Sequence, residues 1–314
     1  MKKGFALCLA LCIALCACAK ETPPAPKESK TLSVVATLFP QYDFAREIAG
    51  ERAEVTLLLP AGVESHSFEP SPSDVVRIHN CDLFLYTGPE MEPWAQTMLS
   101  GGLPDSVRVV NLSEEIEMTE TKEAVPGEEH EESEEGHHHV VDPHVWTSPA
   151  NAAVMVGEIA DALCTADPEG ESTYRANAEA YLAKLTALDE ELFSIVEGAE
   201  RREIVFGSRY AFHYFTERYG LTAYAAYDSC SEEGEPSVGV LTALADRIRE
   251  DKIPVIYYEE LTDPKIARAL AEETGAEMLL LHSCHNLSKD EMKRGETYLS
   301  LMRQNAENLK AGLY

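Results

Sequence analysis

The feature that most restricts the fold of this chain is a pair of strand groups on either side of a long helical stretch. The apolar runs are 32–37, 54–59, 82–87 and 107–111 in the first group, and 203–207, 221–226, 253–259 and 277–281 in the second. Short, continuous apolar runs of this kind are typical of strands buried on both faces of a parallel sheet. We therefore predict an α/β fold with two lobes, each a parallel sheet flanked by helices.

The sequence between the two groups predicts a long helix. Pro168 interrupts the helical spacing, and the segment from Gly170 to Gly198 then carries apolar side chains at steps of three and four residues. These side chains are Tyr174, Ala178, Tyr181, Leu185, Leu188 and Leu192. We expect connecting helices over 151–200, a first lobe over 31–150 and a second lobe over 201–314. A stiff connection of this kind would limit hinge motion.

The amino terminus has the features of a bacterial signal peptide. Two lysines precede an apolar run that ends in Leu15-Cys16-Ala17-Cys18. This run is shorter than the ~20 residues of a membrane-spanning helix. Leu-x-Ala followed by cysteine is the pattern at which signal peptidase cuts and leaves the thiol for lipid. We expect a signal peptide over 1–17, a polar lipidated tether over 18–30, and an extracytoplasmic protein anchored to the cell membrane through Cys18. The alternative is an ordinary secretory signal that is cut elsewhere.

The charge of the chain narrows the range of partners. The formal net charge is -29 at pH 7, which makes nucleic acid an improbable partner and suits an exported protein that handles cations. The segment 113–139 carries much of this charge, with many glutamates and almost no aliphatic residues after Ile116. It cannot bury enough surface to offset its ordering entropy, so we predict a mobile loop. We interpret its histidines as a weak secondary capture surface for metal: His130, His137, His138 and His139.

Other histidines lie where predicted strands end. His66 follows the run 54–59, His144 lies in Asp-Pro-His-Val-Trp, and His213 lies on the helix predicted after the run 203–207. His282 and His285 follow the last apolar run. Ligands of open parallel sheets bind beyond the carboxyl ends of the strands, so these imidazoles can converge. Imidazole nitrogens favour Zn²⁺, whereas manganese sites keep more carboxylate oxygens.

These motifs resemble those of the metal-receptor lipoproteins of bacterial ABC importers, specifically the zinc-binding branch. HSFEPSPSD, DPHVWTSP, the loop rich in glutamate and histidine, YFTERYGL and EEL-x-x-PKIARALAEETGA occur in family order and cover nearly the whole mature chain. The resemblance implies two α/β lobes, a long connecting helix and a metal in the cleft between the lobes. It also implies that Zn²⁺ is bound as cargo for a membrane ABC permease, and that the protein is not an enzyme. We expect a monomer.

The resemblance transfers unevenly to single residues. His66 and His144 occupy the positions of the family's first two histidine ligands. Arg209 stands where the third histidine is expected, and a permanently protonated guanidinium cannot ligate a metal. His213 is one helical turn further on and would substitute only if the helix were rotated or shifted. The family's acidic fourth position falls on His282.

The rest of the coordination sphere stays open at this stage. With His66, His144 and His282 as neutral imidazoles, the remaining place could be taken by His285, His213, Glu64, Glu260 or water. Neutral imidazoles have pKa values of about 6.5, so metal affinity should fall as the pH drops through roughly 6.

The cysteines outside the signal region suggest two roles. Cys230 and Cys284 each follow a predicted strand and would lie near the cleft rim, where they are a candidate disulfide. Thiolate ligation and two separate thiols are the alternatives. Cys81 and Cys164 have the setting of small core hydrophobes.

Three other functions fit parts of the pattern. The first is a manganese or iron receptor of the same family. The second is a secreted zinc hydrolase with Glu64 or Glu260 as the base, although the chain has no His-Glu-x-x-His motif. The third is a surface adhesin that has kept the receptor fold, which would bind its partner independently of metal.

Overall fold

The computed structural model describes residues 31–120, 141–227 and 236–314, and its strands form two parallel sheets. The strands are β1 Leu32–Ala36, β2 Ala53–Leu57, β3 Leu83–Tyr86, β4 Arg108–Asn111, β5 Glu203–Arg209, β6 Thr222–Tyr227, β7 Val255–Tyr258 and β8 Glu277–Leu280. The first sheet has the order β2-β1-β3-β4 and the second the order β6-β5-β7-β8. Every neighbouring pair is parallel. This topology confirms the predicted α/β fold.

Helices cover and join the two sheets. They are α1 Phe39–Ala49, α2 Pro72–His79, α3 Pro93–Ser100, α4 Pro149–Ala166, α5 Glu171–Glu197, α6 His213–Tyr219, α7 Val238–Glu250, α8 Lys265–Thr274, α9 Lys289–Arg294 and α10 Tyr298–Leu313. Ser71, Ser288 and Thr297 begin α2, α9 and α10 with reciprocal capping boxes, which satisfy backbone groups that a helix start leaves free.

The alternation of side chains along each strand divides the core. Val34 and Ala36 of β1 pack in the same cluster as Ile204 and Phe206 of β5, together with residues of α1, α4, α5 and α10. The opposite face of each sheet packs in a smaller cluster of its own, against α2 and α3 in the first sheet and against α7 and α8 in the second. The two sheets therefore share one core, and Leu32–Tyr314 forms a single compact unit. The boundaries given above for the two lobes stay a prediction.

The long helix predicted from the linker is α5. It buries every side chain named for it, from Tyr174 to Leu192, and Val196 as well. Near its start, Asn177 donates to the carbonyl oxygen of Ile48 in α1 at 2.9 Å. Near its end, Asp189 accepts from Tyr219 of α6 at 2.7 Å and pairs with Arg218. One helix is thus fixed to elements beside both sheets, which agrees with a stiff connection.

The first part of the predicted mobile loop is packed. Ser113 and Ile116 are buried, the backbone nitrogen of Thr119 donates to the Tyr214 hydroxyl at 3.0 Å, and Glu120 forms a β-bridge with Val141. The apolar side chain of Ile116 explains the difference, because it gives this part of the segment a surface to bury. Residues 121–140, with all four histidines of the capture surface, lie outside the described residues.

The predicted signal peptide and tether, with Cys18, also lie outside the described residues. Within the described part of the chain, none of the helices has both the length and the apolar character needed to span a bilayer.

Candidate metal centre

His144 is held by the carboxylate of Asp142. The Nδ1 atom of His144 is 2.6 Å from Oδ1 of Asp142, and the backbone nitrogen of His144 donates to the same oxygen at 2.9 Å. Both side chains are fully buried. A carboxylate against Nδ1 fixes the tautomer, with the proton on Nδ1 and the lone pair on Nε2. Burial alone would raise the pKa of Asp142, but its bonds to His144 and His213 hold that pKa well below the usual value.

His66 faces His144 from the loop that follows β2. Their Nε2 atoms are 3.2 Å apart, and the rings meet edge to face with centroids 5.2 Å apart. His66 lies at the exposed mouth of the site, yet the surrounding protein and the nearby His144 lower the pKa of His66 to about 4. The imidazole of His66 is therefore neutral at pH 7. Two Nε2 atoms that converge in this way can bind one ion.

His213 shares the same carboxylate. Its Nδ1 atom is 2.8 Å from Oδ2 of Asp142, at the start of α6, and Tyr214 donates from its hydroxyl to the Asp142 carbonyl oxygen at 2.8 Å. Asp142 thus holds two of the predicted histidines at once. The hydrogen bond from His213 helps to position Asp142. Direct ligation of metal by His213 stays a prediction.

The second half of the site combines one imidazole with two carboxylates. Glu259 and Glu260 follow β7, and His285 lies in the loop after β8; all three are buried and have ligand atoms within 4.8 Å of one another. Glu260 accepts from the backbone nitrogen of Ser283 at 2.8 Å and from its hydroxyl at 2.7 Å. The Nδ1 atom of His285 lies 3.0 Å from Glu260 Oε1. Its Nε2 atom is buried and has no hydrogen-bond partner among the residues described.

The charges in this half are strongly coupled. Burial alone would lower the pKa of His285, but the charge and hydrogen bond of Glu260 raise it to about 9. Burial and the charge of Glu260 raise the pKa of Glu259 to about 7. The neighbouring histidines hold the pKa of Glu260 far below its usual value, against the opposing effect of burial. Without a metal, His285 and Glu260 are thus an ion pair beside a partly protonated Glu259.

His282 shares part of the environment of His285: its Nδ1 atom lies 3.3 Å from Glu260 Oε1, and its Nε2 atom is also buried without a hydrogen-bond partner among the described residues. Its Nδ1 atom accepts from the backbone nitrogen of Cys284 at 2.9 Å, and its Nε2 atom lies 3.7 Å from Glu291 Oε1 in α9. The side-chain amide of Asn305 in α10 accepts from the backbone nitrogen of His282 and donates to its carbonyl oxygen, each at 2.7 Å. Of the two rings, His285 lies in the group with Glu259 and Glu260 whose ligand atoms are within 4.8 Å of one another. Ligation of metal by His282 stays a prediction.

Two residues with left-handed backbone conformations flank the acidic cluster. Leu261 has φ 60 and Cys284 has φ 65. A residue other than glycine adopts this conformation at a cost of about 1 kcal/mol or more, and such residues concentrate at functional sites. The turn at Cys284 lies between His282 and His285.

The cysteines agree in part with the sequence analysis. Cys81 is buried between α2 and the first sheet, where burial raises the pKa of its thiol to about 12, and Cys164 is half-buried. Cys284 is a buried free thiol among the described residues. Cys230 lies outside them, so its pairing with Cys284 stays a prediction.

Direct contacts join the two loops that carry His144 and His285. Trp146 donates from Nε1 to the carbonyl oxygen of Ser283 at 2.7 Å, and Tyr298 donates to the carbonyl oxygen of Trp146 at 2.6 Å. The charges of the halves also act on one another, since His285 lowers the pKa of His66 and His144 lowers that of Glu259. Imidazoles and buried carboxylates therefore face a common region, an arrangement suited to a divalent cation.

Sequence reasoning missed two important carboxylates. Asp142 stands two residues before His144, a spacing that allows a carboxylate to hold the ring. Glu259 directly follows the apolar run of β7, at the carboxyl end of a parallel strand, where ligands bind. The strand-end rule that selected the histidines could have selected Glu259 as well.

The fold is an α/β protein with two parallel sheets, and the candidate metal ligands include residues beyond the carboxyl ends of strands in both sheets. The family model described as "Zinc-uptake complex component A periplasmic" (ZnuA) matches residues 34–312. The chain belongs to this family.

Individual relatives agree with the family match. The chain is 34% identical over 315 residues to the high-affinity zinc uptake system protein ZnuA of Bacillus subtilis, covering 99% of this chain and 97% of that protein. It is 35% identical over 279 residues to the zinc-binding lipoprotein AdcA of Streptococcus pneumoniae, covering 89% of this chain. It spans 55% of AdcA, about half the length of that relative. The crystal structure of the Zn(II)-bound ZnuA-like domain of AdcA is similar with TM-score 0.75 and 32% identity, covering 90% of this chain and 99% of that domain.

Proposed function

We propose that this protein is an extracytoplasmic receptor that binds Zn²⁺ through His66, His144, His285 and Glu259 and delivers it to an ABC permease. One observation carries the proposal: His285, whose ligand atoms group with those of Glu259 and Glu260, has a buried Nε2 atom without a hydrogen-bond partner among the described residues, as His282 also does, while the Nε2 atoms of His66 and His144 converge in the other half. A buried polar atom without a hydrogen-bond partner lowers the stability of the protein unless a ligand supplies the missing interaction.

The chemistry of the donor set favours zinc over manganese. Three imidazoles and one carboxylate form a four-ligand set of the kind that Zn²⁺ accepts in tetrahedral sites, whereas manganese favours more oxygen ligands. Asp142 and Glu260 support the set, because each holds the Nδ1 side of one imidazole and leaves Nε2 for the ion. The names of the zinc-binding relatives support the same cargo.

Delivery requires the ligands to separate. His66 and His144 come from the part of the chain before α5, whereas Glu259 and His285 come from the part after it. A permease that draws these two parts away from each other would remove half of the coordination sphere. We propose that lipid on Cys18 keeps the protein, as a monomer, at the membrane for this encounter, and that the histidines of 121–140 collect zinc weakly nearby.

A hydrolytic function is less well supported. A zinc hydrolase needs a carboxylate that can hold and deprotonate a water molecule. Glu260 is engaged by Ser283 and His285, and Glu64 lies 3.6 Å from the guanidinium of Arg209. Neither of the carboxylates considered as a base is free for this role.

Metal binding by the purified full-length chain tests the proposal. We expect one tightly bound Zn²⁺ per molecule in competition with a chelator of known affinity, and binding of Mn²⁺ that is weaker by about a hundredfold or more. Zinc-limited growth and zinc accumulation should fail in cells that lack the gene and recover with the wild-type gene. Tight manganese binding, or growth that does not depend on the gene when zinc is limiting, would contradict the assignment. Metal-independent partner binding with no zinc phenotype would favour the adhesin alternative.

A further inference from the structure

Arg209 ends β5 at the edge where the metal centre lies. The register between β5 and β6 shifts between Phe206 and Arg209. An irregularity of this kind redirects the side chains that follow it, and such irregularities are frequent near functional sites. Here the side chain extends toward the loop of His66, where its NH1 atom is 3.6 Å from Glu64 Oε1.

The charge of Arg209 reaches both halves of the site. Through Glu64 it lies beside the loop of His66. Strand β5 pairs with β7, with Phe206 opposite Tyr257, so Arg209 and Glu259 lie at the ends of neighbouring strands on the same edge of the sheet. The guanidinium is therefore a permanent cation near a ligand of each half, and in agreement its charge makes a minor contribution that lowers the pKa of His66 and of Glu259. Glu64 pairs with the guanidinium, and both side chains of the pair are 34% exposed, so solvent screens part of their attraction.

We infer that Arg209 is a tethered cation that opposes the cargo ion and so limits its affinity and speeds its release. This inference rests on the proposed function. A divalent ion among His66, His144 and Glu259 is repelled by the guanidinium, and the repulsion is strong because the site is partly shielded from water. Glu64 reduces this repulsion by pairing with Arg209 and holding it to one side. The pair of Arg209 and Glu64 thus sets the zinc affinity. The receptor must bind its cargo and must also release it.

The inference predicts opposite effects for the two members of the pair. Arg209→Gln removes the repulsive charge and should tighten Zn²⁺ binding by about tenfold or more, chiefly through slower release. Glu64→Gln frees the guanidinium to approach Glu259 and should weaken binding. If Glu64 acts through Arg209, its substitution should have little effect when Arg209→Gln is already present.

The experiment uses the full-length chain with Zn²⁺ alone as the probe. Affinity is measured by chelator competition, and release by stopped-flow mixing of the zinc-loaded protein with excess chelator. Arg209→Lys keeps the charge and should remain close to the wild type. Arg249→Gln is the matched control, because it removes one positive charge from α7, where Arg249 pairs with Asp246 and Glu273, and should leave affinity unchanged.

The outcomes separate this inference from the proposed function. If the wild type binds no zinc tightly, the proposed function fails, and this inference with it. If the wild type binds zinc and Arg209→Gln has the same or weaker affinity, the inference is overturned while the receptor function stands. An equal gain in zinc affinity in Arg249→Gln would show that net charge causes the effect. This result would also overturn the inference. Should Arg209→Gln not fold, unchanged or tighter binding in Glu64→Gln overturns the inference.

Discussion

The two halves of the metal centre prepare their imidazoles in different ways. In the first half, His66 and His144 are close together at 3.2 Å, and the pKa of His66 is lowered to about 4. In the second half, His285 is charged and paired with Glu260, with its pKa raised to about 9. The first half is ready to ligate at neutral pH, whereas the second must lose a proton first. Zinc capture should therefore be coupled to proton release mainly in the second half.

The two halves differ in how many carboxylates surround their imidazoles. In the first half, the single carboxylate of Asp142 contacts both His144 and His213. His285 is buried beside two adjacent carboxylates, and their combined negative charge stabilises its proton. A divalent ion can replace that proton as the positive charge in the cluster.

The largest effects should come from removing one ligand from either half. His144→Ala and His285→Ala should each lower zinc affinity by more than about a hundredfold, since loss of an outer-shell partner alone costs ten- to a hundredfold. His282→Ala should cost less than about tenfold, because His282 lies outside the group of Glu259, Glu260 and His285 whose ligand atoms are within 4.8 Å of one another. His79→Ala on α2 is the control. Chelator competition gives all four affinities, and a larger loss in His282→Ala than in His285→Ala would reverse the assignment within the loop.

The pH dependence should separate the halves. His285 has a pKa of about 9 without metal, so it is protonated at pH 7 and must release its proton to bind. Zinc affinity should therefore rise about tenfold per pH unit between pH 7 and 8, and calorimetry in buffers of different ionisation enthalpy should record at least about one proton released. His66→Ala should retain this release and His285→Ala should lose most of it. Equal release in the two variants would remove the distinction between the halves.

The supporting carboxylates should have smaller effects of different kinds. Asp142→Asn and Glu260→Gln should each weaken zinc binding by about ten- to a hundredfold, because each carboxylate orients an imidazole. Glu260→Gln should also reduce the proton release, since the charge of Glu260 is what raises the pKa of His285. Asp142→Asn should leave the proton release unchanged. Calorimetric titration of both variants measures the two quantities together.

The smallest effect should come from the loop outside both halves. Deletion of residues 121–139 should change the affinity of the tight site by less than about twofold and remove only weak secondary zinc binding. The deletion begins after Glu120 because residues 113–120 pack against the protein. Loss of the tight site in this variant, with the wild-type melting temperature retained, would show that the loop supplies a ligand.

The sequence predicts the fold better than it predicts the site. The composition and length of an apolar run such as that of β7 are enough to identify a buried strand. The apolar spacing from Tyr174 to Leu192 is enough to locate α5. His282 and His285 cannot be separated in this way, because they lie three residues apart in one loop. Only the fold shows that His285 joins Glu259 and Glu260 in one group while His282 also lies near Glu291.

The most direct test of a shared ion is a crystal structure of the zinc-loaded full-length chain with anomalous data on both sides of the zinc absorption edge. The account predicts one zinc peak bound by the Nε2 atoms of His66, His144 and His285 and by a carboxylate oxygen of Glu259, at about 2.0 Å from each ligand. A zinc ion bound by the first half alone, with His285 still paired to Glu260, would contradict it.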